Sequence, residues 1–403
     1  MRLLQRLQRV PGSGMYIPQI DGLRFLAILP VLFWHAGLRG ARQLPLPPQD
    51  DSITFLSRYM PIGDIGVDLF FFISAFIISV PFLTNRDMTL SRFYVRRLVR
   101  IEPPYIIVII GCFVVLSLFD YQPVGAASFH ANPQPLWQDG LASVFYIHGL
   151  VFNSPSRLNP PAWSLEVEIQ FYLLCPLIYL GWRKLKSTNG RLIVGVLAIA
   201  VALIFTAKFA PDKYSGRLYW TVFGHAHPYI LGVVCCDYVL SSKLLEKAKS
   251  HAWDAVFVVG LTALIYSGSV EAWGYDFGPA LLRSAIRVTG ILGIFLGAVR
   301  GRTASRILGA PWMAALGACC YSIYLVHVPV MQVSSEILFK HLSPPHSLPQ
   351  ALGIAFVTLV PLGILAGLVF FLCVEKPFAA GLWPEHLRRL TSGGRKREAA
   401  DEA

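Results

Sequence analysis

Apolar runs long enough to cross a bilayer recur along the whole chain, and this repetition limits the fold more than any single motif. They lie at roughly 19–38, 64–83, 101–119, 163–182, 192–210, 219–240, 253–270, 281–299, 312–333 and 350–374. About 20 apolar residues wind into a helix that matches a hydrocarbon core roughly 30 Å thick. In hydrocarbon a helix satisfies its own backbone, which an irregular segment cannot do. Composition agrees: 55% of the 403 residues are hydrophobic and 14% are charged, against about 25% charged in soluble domains. The expected fold is all-α, a polytopic membrane helix bundle of about ten transmembrane helices. A large soluble protein with buried helices is set aside. The first run is too long for a cleaved signal peptide, carries His35, and lacks a small-residue cleavage site.

The net charge of +12 could suggest nucleic acid, but the positions of the basic residues argue against it. With the N-terminus placed in the cytoplasm, 24 of the 35 Lys and Arg fall in cytoplasmic segments and seven in outer loops. The positive-inside rule therefore puts both termini in the cytoplasm. Residues 1–18 read as a cytoplasmic N-tail, 19–378 as the integral-membrane domain, and 379–403 as a cytoplasmic C-tail ending in a polar, disordered "TSGGRKREAADEA". The seven cysteines all fall inside the runs, so no disulfide framework is expected and they read as packing residues. None has metal-ligand spacing with His, and no metal is expected. The outer stretch 120–162, rich in Pro and aromatics, reads as an ordered lid over the outer face, with 141–152 a candidate re-entrant or interfacial piece.

The first run, "IPQIDGLRFLAILPVLFWHAG", carries Asp21, Arg24 and His35. Arg24 and His35 are eleven residues apart, which at 100° per residue is ~20° past three turns. Asp21 lies about 40° from the same register. The three share one stripe, and polar groups on one stripe face a bundle interior or a cavity. The plain reading is a snorkelling Arg24 paired with Asp21 and a satisfied interfacial His35. The shared stripe favours function.

Four other stretches carry candidate chemistry. "SRFYVRRLVRIEPPY" gathers Arg92, Arg96, Arg97 and Arg100 at the cytoplasmic face. Guanidinium forks suit phosphate, although such a cluster also binds lipid headgroups. In "NPPAWSLEVEIQFYLLCPL" the Pro pair opens a helix, and Ser164, Glu168 and Phe171 or Tyr172 fall near one face; Glu166 and Glu168 could equally be solvated and inert. "GACCYSIYLVHVPV" places His327 deep in the ninth run, where a lone His is more often a helix–helix hydrogen-bonding residue than a catalyst. Asp64 and Asp68 stand one turn apart at the start of the second run and could orient His35 or cap the helix. His225 and His227 point to different faces, which argues against a shared metal. The chain has no Walker loop, no dinucleotide glycine fingerprint and no GxSxG.

Taken together, these stretches resemble the acyltransferase-3 family of bacterial integral-membrane O-acyltransferases, over nearly the full chain and in order. The family's Asp-Gly-Leu-Arg followed by Arg-x10-His is met by Asp21, Gly22, Leu23, Arg24 and His35. A second-span pattern "GVxLFFxxSGFLI" is matched by "GVDLFFFISAFII", with Ala75 where Gly is usual. "RRxxRIxPxY" is met by Arg96, Arg97, Arg100, Ile101, Pro103 and Tyr105. "WSLxVExQFYLxxP" is met by Trp163, Ser164, Glu168, Gln170, Phe171, Tyr172 and Pro176, with Ile169 where a second Glu is common. "SYxxYLxHxP" is met by Tyr321, Tyr324, Leu325, His327 and Pro329, with Cys320 for the first Ser, and Glu375-Lys376-Pro377 closes the match. The chain ends soon after the tenth run and so resembles the stand-alone members without a C-terminal SGNH domain.

The resemblance implies a multi-pass protein of the bacterial inner (plasma) membrane. It implies transfer of an acetyl or other short acyl group from cytoplasmic acyl-CoA to a hydroxyl of a carbohydrate-type acceptor, such as a surface polysaccharide or glycolipid. No permanently bound cofactor is implied; acetyl-CoA is the donor co-substrate. Arg24, Arg96, Arg97 and Arg100 would hold its phosphates. His35 would act as general base or carry the acyl group, with Asp21 or Asp68 holding its tautomer. Arg24 and Glu168 are the remaining catalytic candidates, and Asp68, Trp163, Ser164, Tyr324 and His327 are the further substrate-side candidates. Polysaccharide biosynthesis or export proteins are candidate partners. The alternative is a proton-coupled transporter of a lipid-linked sugar or other polar solute, since buried His, Asp and Arg also build proton relays.

Overall fold

A computed structural model describes residues 16–46, 52–84, 90–119, 134–212, 216–269, 274, 276–342 and 344–379; the side chains of Ser91, Arg92 and Arg96 fall outside the description. Much of both tails therefore lies outside it.

The described residues form helices and no β-strands. The long helices are α1 (Pro18–Ala41), α3 (Asp64–Thr84), α4 (Leu90–Phe119), α7 (Trp163–Trp182), α8 (Thr188–Phe209), α9 (Ala226–Ser242), α10 (His251–Ser267), α11 (Phe277–Arg300), α14 (Cys320–His341) and α15 (Leu348–Phe370). Between them lie short helices: α2 (Ser52–Ser57), α5 (Leu136–Val144), α6 (His148–Phe152), α12 (Arg302–Leu308) and α13 (Pro311–Ala318). Eight of the described helices are long and apolar enough to cross a membrane. α9 and α10, in the places of the sixth and seventh runs, have 17 residues each. The protein is an all-α polytopic helix bundle.

Small residues let the helices approach closely, as membrane bundles favour. A Cβ added at Gly317 of α13 would run into the backbone carbonyl of Asp21, and one at Gly66 of α3 would meet that of Ala27. Both contacts clamp α1, the helix with the polar stripe. The ninth run is not one span. It breaks at Cys319, where α13 ends and α14 begins, and α14 runs on to His341. Apolar residues continue through the break, so composition alone did not mark it.

The second difference concerns 134–162. It is ordered, as expected, and it enters the bundle as a wedge instead of lying over it as a lid, in line with the re-entrant reading of 141–152. α7 runs alongside α3: Trp163 packs on Phe71, Ser74 bonds Glu168, Ser79 bonds Tyr179, and Arg183 donates to the carbonyl of Phe82. α7 thus starts opposite Phe71, seven residues or ~10 Å below the first residue of α3. The chain before it descends along α4 until Tyr146 stacks on Tyr105, centroids 4.7 Å apart, midway along that helix. Tyr146 reverses the chain with φ 57°, a left-handed conformation that a bulky residue adopts only when its surroundings hold it.

The wedge carries its own polar core. Asp139 is fully buried, bonds His148, and accepts from Arg157 Nε at 2.6 Å. His148 Nδ1 donates to the Ser154 carbonyl at 2.9 Å, and Tyr105 donates to that of Ser143 at 3.0 Å. Glu166 is not solvated: it is buried and accepts from the Gly149 amide at 2.9 Å. Asn159 Nδ2 donates to the Leu325 carbonyl at 3.0 Å, which ties the wedge to α14.

Gly317→Leu is expected to force α13 off α1 and to cost at least about 1–3 kcal/mol. A lowered melting temperature of the detergent-solubilised protein checks this; an unchanged melting curve would mean the close contact is dispensable.

Candidate active site

The polar stripe of α1 spans two cavities. The larger, about 760 Å³, is lined by His35, Arg39, Asp64, Trp163, Tyr324 and Gln332, among mostly apolar residues. The smaller, about 90 Å³, is lined by Arg24, Arg97, Arg100, Ser164, Glu168 and Tyr172, with Cys320 and Tyr324. Tyr324 lines both. Its hydroxyl lies 2.9 Å from the Ser164 hydroxyl and donates to the carbonyl of Pro161. Tyr324 and Ser164 therefore stand in the wall between the two spaces. Arg24 and His35 belong to different cavities, about 16 Å apart along one helix face.

In the large cavity, His35 meets His327. His327 Nε2 lies 3.2 Å from His35 Nδ1, and the ring centroids are 5.1 Å apart. The tautomers follow from the partners, since a carbonyl oxygen only accepts. His327 Nδ1 lies 2.7 Å from the Tyr324 carbonyl, so it carries the proton and Nε2 accepts. His35 Nδ1 lies 3.0 Å from the Val31 carbonyl, so it too carries the proton, shared between Val31 and His327. Nε2 of His35 is left as the ring nitrogen with the lone pair, which is the form a general base needs.

This corrects the expected carboxylate partner. Asp68 gives Oδ2 to Arg287 Nη1 at 2.6 Å and Oδ1 faces His225 Nδ1 at 3.6 Å. Arg287, on α11, lies more than 200 residues away in sequence, so local spacing could not anticipate it. Asp21 lies fourteen residues from His35, about 21 Å along α1, and pairs with Arg24 at 3.8 Å. His225 packs against Trp163 with centroids 5.3 Å apart, while His227 lies 3.5 Å from Thr206, so the two do sit on different faces. Asp64 accepts from the Tyr219 hydroxyl at 3.0 Å.

The small cavity gathers cations and one framed carboxylate. Arg97 sits over the Tyr172 ring, 5.3 Å from its centroid, and Arg100 reaches Glu375 at 4.0 Å. Ser322 donates to Glu375 at 2.6 Å. Glu168 takes bonds from Ser74 and Tyr172, so it lies with the arginines and not beside His35. Nη1 of Arg24 is buried with no hydrogen-bond partner among the described residues. Its ion-pair partner Asp21 stands 3.8 Å away, beyond hydrogen-bond reach, so this nitrogen keeps a donor that fits an anionic or carbonyl group in the arginine-lined cavity. Cys320, buried, also lines this space.

Sequence reasoning missed the polar groups flanking His35. Arg39, one turn on, is buried and donates to the His35 carbonyl at 2.8 Å and to Gln332 at 3.2 Å. It extends the stripe by one turn, and the signal was present in the spacing. Ending the first span at residue 38 put Arg39 in a loop; α1 runs to Ala41.

The chain is similar to known acetyltransferases over about four fifths of its length. It is 26% identical over 347 residues to the peptidoglycan O-acetyltransferase OatA of Listeria monocytogenes, covering 81% of this chain and 51% of that protein. It is 25% identical over 347 residues to the putative peptidoglycan O-acetyltransferase YrhL of Bacillus subtilis, covering 80% and 50%. The O-acetyltransferase OatA of Staphylococcus aureus is 23% identical over 353 residues, covering 81% and 52%. The chain thus spans about half the length of these curated relatives. No solved structure matches it. The acyltransferase domain family matches residues 17–374, from the start of the polar stripe to the residue before Glu375, and the chain belongs to that family.

Proposed function

We propose that this protein moves an acetyl or other short acyl group from acyl-CoA to a hydroxyl of a carbohydrate-type acceptor at the bacterial inner membrane, with both its termini in the cytoplasm. The observation that carries the reading is the single face of α1 that joins two cavities of different chemistry across Tyr324. Arg24, Arg97 and Arg100 suit the polyanionic donor, which is cytoplasmic. The larger cavity, at the opposite end of the stripe, is roomy enough for a sugar ring. The listerial and staphylococcal relatives named as O-acetyltransferases support the acyl group and the oxygen acceptor.

In the reaction, the acceptor hydroxyl gives its proton to Nε2 of His35 as its oxygen attacks the thioester carbonyl. The C–S bond then breaks, and the proton passes from His35 to the leaving thiolate, giving ester and free thiol. His327 and the Val31 carbonyl hold the Nδ1–H tautomer of His35 throughout, so His327 is a positioning residue. For the acyl carbon to meet the hydroxyl, the donor arm passes the Tyr324–Ser164 wall. Trp163, packed against His225 and Phe71, forms the floor of the acceptor space.

The first test follows label from radioactive acetyl-CoA into glycans and lipids in membranes holding wild type or His35→Ala. Transfer is expected to fall about 10²–10⁴-fold in the variant; equal labelling in a correctly inserted variant removes His35 from the mechanism. His327→Ala is expected to lower kcat about 10²-fold through a misplaced ring, with KM for acetyl-CoA unchanged and partial rescue by His327→Gln, whose carbonyl restores an acceptor. Arg97→Gln and Arg100→Gln are expected to raise KM for acetyl-CoA at least tenfold and leave the KM for the acceptor alone. A lowered kcat at unchanged KM would move the donor site elsewhere.

A further inference from the structure

A groove of about 320 Å³ opens beside the large cavity at the His35 end of the bundle. Arg39, Arg42, Gln332 and Glu336 line both spaces, and Lys340 and Gln43 line the groove alone. The two spaces are therefore adjacent, with these side chains between them. Their shared wall is built by hydrogen bonds: Arg39 donates to Gln332 Oε1 at 3.2 Å, Gln332 Nε2 donates to Glu336 at 2.9 Å, and Arg42 Nε donates to Ser52 at 3.1 Å. Gln332 thus spends its oxygen on the arginine and its amide on the carboxylate, which fixes Arg39 against the carbonyl of His35.

The charge in the groove runs against the pattern of the chain. Seven of the 35 Lys and Arg fall in the segments read as outer loops. Three of those seven, Arg39, Arg42 and Lys340, converge here, and Glu336 is the carboxylate among the described residues that line the groove. A basic residue on that side opposes the positive-inside bias, so three at one groove point to a task. Two guanidinium groups and an ammonium match a carboxylate or phosphate. Arg39 lies one helical turn, ~6 Å, beyond His35. An anion in the groove therefore sits next to a hydroxyl presented to His35, at about the distance of a neighbouring position on the same molecule.

We infer that the groove is a subsite for a carboxylate or phosphate group of the acceptor, formed by Arg42, Lys340 and the Arg39–Gln332 pair. This rests on the acyl-transfer reading for the identity of the acceptor. It adds that acceptors bearing an anion close to the acylated hydroxyl are preferred over neutral ones.

Binding tests it without relying on turnover. The purified full chain, in phosphatidylcholine nanodiscs, is titrated with a glucuronate-containing trisaccharide and with its methyl ester. Wild type is expected to bind the carboxylate form at least tenfold tighter, with the preference shrinking as salt rises. In Arg42→Gln/Lys340→Gln the two forms are expected to bind equally, at the affinity wild type shows for the ester. Equal binding of both forms by wild type, no binding of either, or a preference that survives the double substitution overturns the inference. Discs containing phosphatidylglycerol separate the two sources of anion. Enrichment of that lipid through Arg42 and Lys340, with no preference between the sugars, makes the groove a headgroup site and also overturns it. Transfer of labelled acetyl groups is read in parallel. Preference without transfer keeps the subsite and removes the acyltransferase mechanism; transfer without preference does the reverse.

Discussion

A buried polar group in this bundle has only other protein groups to bond, and the arrangement of the helices follows from that requirement. The wedge at 134–162 shows it most directly. Irregular backbone at that depth survives because Asp139, His148, Arg157 and Glu166 satisfy one another and the chain around them. The same wedge fixes the site: Asn159 holds α14 at Leu325, two residues from His327, and Pro161 accepts from Tyr324. Removing one partner would leave an uncompensated buried charge, which is costlier than losing a surface pair by several kcal/mol. The chemistry at the centre of the bundle is thus positioned by a segment that contains no part of the polar stripe.

The histidine pair illustrates how backbone carbonyls set two tautomers, with the buried cation of Arg39 one turn away. A carboxylate beside His35 would add a formal charge in a low-dielectric setting. Backbone carbonyls of Val31 and Tyr324 instead set both tautomers with dipoles that the helices already supply. Asp68, which does carry charge, is matched by Arg287 and kept on the far side of Trp163 and His225.

What could be read in the sequence was whatever a helix repeats. The stripe from Asp21 to His35 and the shared face of Ser164, Glu168 and Tyr172 both follow from 3.6-residue periodicity; Arg24 and His35 of the first and all three of the second line cavities, while Asp21 lines neither. Long apolar runs gave the bundle. What could not be read were contacts between helices far apart in the chain: His35 with His327, Asp68 with Arg287, Arg39 with Gln332. The break at Cys319 was hidden because both sides of it are equally apolar. The wedge was half-read: 141–152 offered a re-entrant piece, but Pro- and aromatic-rich composition signals order without saying at what depth the order lies. The side chain of Arg96, one of the arginines expected at the donor end, lies outside the described residues.

The position of Tyr324 has a consequence for the membrane as an insulator. One cavity reaches toward each end of the stripe, and Tyr324, bonded through its hydroxyl to Ser164 and Pro161, stands between them. Were the two spaces permanently joined, the protein would be a pore, and ions would run down the potential that a living membrane maintains. In the proposed reaction, any movement that admits the pantetheine arm of the donor opens that seal for the same interval. The arm must therefore fill the gap it creates, so that the permeability of the bilayer depends on the fit of a substrate in transit.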